Sequence, residues 1–109
     1  MKDERRRAKK QFKRQLRQCR KALKKAAKHY LPYDYCEVFK MMKIIFRHWT
    51  QYYGLGYNVW GDDSEENQTR KEIADELLSK LDAVEVNDDR ETVATFADCF
   101  KNHILRMWD

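Results

Sequence analysis

Three cysteines, three histidines and eighteen carboxylates are the reactive side chains of this 109-residue chain. Metal or nucleophilic chemistry needs such groups in tight sets. Cys99 and His103 are four residues apart, which puts them on one helix face as half of a zinc-type site. Cys19, Cys36, His29 and His48 are scattered, and there is no C-x-x-C pair. Burial as a small hydrophobe is the ordinary use of such cysteines. A Cys/His nucleophile pair would need an orienting residue and an oxyanion loop, and no segment offers either. Gly54 and Gly56 begin a dinucleotide-type loop, but it follows a helix, and Asn58 and Val59 stand where the last glycine is sought. The expectation is no catalytic residue, no metal and no cofactor, which leaves binding as the kind of activity to look for.

The elements that position these groups are helices. Gly is 3 and Pro is 1, too few for the turns of a sandwich or barrel. Residues 2–29 lack Gly, Pro, Ser, Thr and Asn and are rich in good helix formers. Asp3 and Glu4 suit the start of that helix. Its apolar positions, Phe12, Leu16, Cys19, Leu23, Ala26 and Tyr30, step by 4, 3, 4, 3 and 4, a narrow heptad seam. Such a seam can dock on one surface but cannot be buried all round. Before Phe12 only Ala8 is apolar within the helix, so that stretch is expected to fray or project.

A turn at Leu31-Pro32-Tyr33 precedes Asp34, an N-cap with Glu37 completing a capping box. The second helix is predicted over 35–53, with a broad apolar face (Tyr35, Phe39, Met42, Ile45, Phe46, Trp49, Tyr52, Tyr53) and Gly54 as its C-cap. The third is predicted from Asp63 or Ser64 to near Asp82, with Ile73, Ala74, Leu77, Leu78 and Leu81 inward. Asn87 or Asp88 caps a fourth whose stripe is Val93, Phe96, Ala97, Phe100, Ile104, Met107 and Trp108. Tyr57 to Trp60 and Ala83 to Val86 alternate in a way that suits a short two-stranded ribbon. The fold class expected is all-α, a bundle of about four helices. Residues 1–30 form a basic arm, docked or projecting, and residues 31–109 a helical body.

Charge divides the chain sharply. Residues 1–29 carry 14 Lys+Arg against 2 acids (+12), residues 30–61 carry 3 against 2 (+1), and residues 62–109 carry 6 against 14 (−8), consistent with the net +5. The cations Arg5, Arg6, Arg7, Lys9, Lys10, Lys13, Arg14, Arg17, Arg20, Lys21, Lys24 and Lys25 crowd one helix, where like charges at i,i+4 repel. Nucleic-acid phosphates, bound with steep salt dependence, are the commonest relief for such repulsion. A solvated helix, internal neutralisation by the acidic half, or an acidic protein surface are the other readings. The acids have two readings as well: a phosphate mimic, or helix-N-terminal and solvated side chains. Tyr52, Tyr53, Tyr57 and Trp60 can stack on unpaired bases or protein, or close the core.

No apolar run approaches the roughly 20 residues that span a bilayer. The seam lacks the Trp and repeated Leu of an interfacial helix, so no membrane contact is expected. Neither a secretory nor a mitochondrial leader is expected at the charged start. Three widely spaced cysteines make no disulfide framework, and a reducing cytoplasm fits them.

From Met41 to about Leu81, FRHWTQYYGLGYNVWGDDSEE followed by RKEIADELLSKL resembles a loose class of small bacteriophage-encoded proteins. In these an apolar helix ends in Tyr-Tyr, an Asn-Val loop follows, and an acid-capped helix comes next. The resemblance implies a phage accessory or anti-defence protein, including inhibitors of CRISPR nucleoprotein complexes in a bacterial cytoplasm. It carries over no functional residue. The function expected is non-enzymatic contact with nucleic acid or a ribonucleoprotein through the basic helix. The alternative is a protein–protein or scaffold module using Phe12, Leu16, Cys19 and Leu23, including as a homodimer.

Overall fold

A computed structural model describes residues 2–55 and 64–107. Among them are four α-helices, α1 (Lys2–Lys28), α2 (Tyr35–Tyr53), α3 (Ser64–Asn87) and α4 (Arg90–His103), followed by a 3-10 turn at Ile104–Met107. The all-α bundle expected from the scarcity of turn residues is the fold. No strand occurs among the described residues.

Helix α2 packs against both α1 and α3, and α4 packs against α3. The core lies among α2, α3 and α4: Phe46, Ile73, Leu77, Leu81, Val84, Phe96 and Cys99 are buried together. Phe96 is its aromatic hub, with ring centroids 6.4 Å from Phe39, 6.1 Å from Phe46 and 6.2 Å from Phe100. The two neighbours on α2, Phe39 and Phe46, tie α4 to α2.

Helix α1 is 27 residues, or about 40 Å long. It is docked along its seam: Phe12, Leu16, Cys19, Leu23 and Ala26 are half-buried, and Ala8 is buried. The helix runs from Lys2 and Ala8 is buried, so the stretch before Phe12 is ordered helix where fraying or projection was expected. Tyr30, the last seam position, lies past the helix end and is exposed. With α1 as an outer layer the Cα radius of gyration is 15.3 Å, above the about 13 Å typical of this length.

Four local expectations change. Ala83 to Val86 is helix, because Val84 continues the Leu77–Leu81 stripe inward while Val86 points out, so the ribbon does not form from that segment. Its other half, Tyr57 to Trp60, lies outside the described residues. Helix α3 therefore ends at Asn87, and Asp88 takes the left-handed conformation (φ 48°) that terminates helices. The N-cap of α4 is Asp89, one residue later than read, with Oδ1 accepting from the Thr92 N–H at 2.7 Å. On α4 the inward position is Cys99, and Ala97 is exposed.

At α2, Asp34 caps as expected, accepting from the Cys36 N–H at 3.0 Å. The capping box is not closed, because the Asp34 N–H donates to the Leu31 carbonyl at 3.1 Å and Glu37 pairs instead with Lys40 at 3.4 Å. Gly54 ends α2 in a right-handed conformation.

Candidate nucleic-acid interface

The seam decides where the cations of α1 point. Apolar residues at i, i+3, i+4 and i+7 claim one face for α2, so the side chains between them project away. All twelve predicted phosphate contacts, from Arg5 to Lys25, are exposed. Arg14, Arg17, Lys21 and Lys24 make no ion pair among the described residues. Three acids of α3 are paired away from α1: Asp82 and Glu85 hold Lys43 of α2 at 2.8 and 2.6 Å, and Asp75 holds Lys71 at 2.9 Å.

Two clefts follow the α1–α2 groove. One, of about 390 Å³, has a floor of Ala22, Ala26 and Ile44 and a rim of Lys25, His29, Lys40, Lys43 and Arg47. The other, of about 130 Å³, is lined by Gln18, Cys19, Ala22, Ile44, Arg47, His48 and Gln51. Arg47 is exposed and borders both. It extends the cationic surface of α1 onto α2. Sequence reading missed it because the charge run ends at Lys28. The available signal was that Lys40, Lys43 and Arg47 recur at helical spacing on α2.

The groove is sealed by aromatic contacts. Phe12 lies edge-on to Tyr52 with centroids 5.2 Å apart and sits 6.5 Å from the ring of His48. Tyr52 stands edge-on to Tyr53 at 4.9 Å, so this pair closes the fold. Tyr57 and Trp60 lie outside the described residues. Burial pushes the Tyr52 phenol up and the His48 imidazole down, and His48 Nε2 is buried with no hydrogen-bond partner. Burial thus favours the neutral form of His48 in a cleft lined on the α1 side by Gln18, Cys19 and Ala22.

A third cleft, of about 400 Å³, lies between the start of α2 and the end of α3. Asp34, Glu85 and Asp88 line it together with Lys40 and Lys43, so its charge is mixed. The Tyr35 hydroxyl donates to Asp88 there, and that bond pushes its pKa up to about 12.

None of the thiols is activated. Burial raises Cys19 against the pull of Arg20; desolvation and then Asp34 raise Cys36; burial and then Glu76 raise Cys99. A nucleophilic cysteine is pushed the other way. Cys99 and His103, the half-site read from their spacing, do share a face, and α3 adds Glu76 to them.

No protein-family model, curated protein or solved structure matches the chain. Among the described residues no helix is long and apolar enough to cross a membrane.

Proposed function

We propose that this protein is a non-enzymatic binding protein whose outer face of α1, continued by Arg47 on α2, contacts the phosphates of nucleic acid. One observation carries the reading. The seam of α1 is docked on α2, so its cations stand on a fixed rod, separated from the acids of α3 and α4. Fixed cations such as Arg14, Arg17, Lys21 and Lys24 release counterions from a polyanion without first ordering a flexible arm. Contacts of this kind position a protein without reading base sequence.

The setting we propose is interference by a phage with a host nuclease complex in the bacterial cytoplasm, where the nucleic acid is exposed on a ribonucleoprotein. The resemblance over Met41 to Leu81 supports it, together with a cationic face suited to guide or target strands.

Fluorescence anisotropy with labelled DNA and RNA across a salt series tests the reading. The full-length protein should bind with affinity that falls steeply as salt rises. Contact with about six phosphates loses about 10³-fold between 50 and 200 mM salt. No binding at the lowest salt would refute it.

A second reading, protein–protein contact, is supported by a surface other than the seam. Tyr30, Leu31, Tyr33, Tyr35 and Val38 are all exposed around the α1–α2 turn. Exposed apolar patches of this kind mark interaction sites. Use of the seam itself, as in a homodimer, requires α1 to exchange α2 for another helix. Sedimentation at high salt tests the homodimer: an assembly that persists there favours protein contact, and a monomer rules out self-association without bearing on a foreign partner.

A further inference from the structure

The described residues hold one cluster of mixed metal-ligand type. Glu76 comes from α3, while Cys99 and His103 come from one face of α4. One ligand atom from each lies within 4.8 Å of the other two. We propose that Glu76, Cys99 and His103 bind a thiophilic divalent cation of the zinc class, and that the ion clips α4 to α3.

The donor set fits that chemistry. One thiolate, one imidazole and one carboxylate are borderline-soft and suit zinc or cobalt over magnesium or calcium. In a tetrahedral site with the usual bond lengths, donors stand about 3.3–3.6 Å apart. Closing from 4.8 Å takes side-chain adjustments on the order of 1 Å. Cys99 and His103, at i and i+4, already lie one above the other on α4.

Their surroundings argue in the same direction. The Nδ1 of His103 is buried and has no hydrogen-bond partner. An orphaned buried polar atom carries a cost that a bond to a metal removes. Cys99 is 6 % exposed, and its sulfur lies within 4.8 Å of a Glu76 carboxylate oxygen. On binding, the thiol proton leaves to solvent and the thiolate and Glu76 carboxylate share the cation. Glu76 is exposed, which provides the entry path and leaves a fourth position for water. Lys80 is close enough to act on Cys99, and its charge works against the cation.

Cobalt(II) tests the proposal on the full-length protein, because a cobalt–thiolate bond adds an intense near-ultraviolet charge-transfer band. The expected result is one ion per chain, the thiolate band together with tetrahedral visible bands, displacement by zinc, and a higher Tm with zinc. Cys99→Ser and His103→Gln should lose the band and the Tm rise, and Cys36→Ala should keep both. Glu76→Gln, at an exposed position that leaves the fold intact, should weaken binding and change the visible bands. The proposal is overturned if no band appears. It is equally overturned if the band survives Cys99→Ser, or if neither His103→Gln nor Glu76→Gln alters it, since the ion would then sit on a thiol without the cluster.

Discussion

Phe12 of α1 stands edge-on to Tyr52 of α2, with ring centroids 5.2 Å apart. That contact fixes the outer helix to the body and turns a run of charge into a surface of defined direction. Phe12→Ala should cost about 2 kcal/mol in urea denaturation, less than a fully buried Phe because Phe12 is half-buried. Binding to DNA should weaken in the same variant, as α1 loses its fixed orientation. Unchanged stability would show that α1 is held by other contacts.

Replacing Arg14, Arg17, Lys21 and Lys24 with Glu should abolish nucleic-acid binding, with helical content by circular dichroism retained. All four are exposed and outside the seam. Arg17→Ala alone should lower the salt slope by about one. Wild-type binding by the fourfold variant would remove α1 from the interface.

Arg47→Glu should weaken binding although it lies on α2, beyond the basic run. It borders both clefts of the α1–α2 groove. Anisotropy at low salt reads the effect. Equal affinity of Arg47→Glu and wild type would confine the interface to α1.

Val84→Ala and Val86→Ala should differ, since Val84 is 2 % exposed and Val86 is 82 % exposed. Val84→Ala should cost about 2 kcal/mol, and Val86→Ala should stay within about 0.5 kcal/mol. In a strand both would face the same side and respond alike. The alternation of Ala83 to Val86 looks the same in either conformation over four residues, and only the longer stripe from Leu77 through Leu81 to Val84 decides for helix.

Acid should loosen the α1–α2 groove. Burial holds His48 below its ordinary value of 6.5, so near and below pH 6.5 the unfolded chain binds more protons at this position than the native one. Its contribution is then present above the unfolded value and is lost as pH falls through the folded one. The urea midpoint measured from pH 7.5 to 5.5 should fall more for wild type than for His48→Gln. Parallel curves would show that His48 is not the group responsible.

The sequence by itself determined the helices, the cap at Asp34, the division of charge, and the seam on α1. These rest on propensity and on contacts within a turn or two, which the order of residues states directly. Tertiary structure alone decided that the seam closes on α2 and turns the cations outward. It also set Arg47 beside Lys25, and Glu76 beside Cys99 and His103. Each of those pairings joins residues 22 or more positions apart. Which helix faces meet depends on how the apolar stripes of all four bury together, and no local pattern encodes that choice.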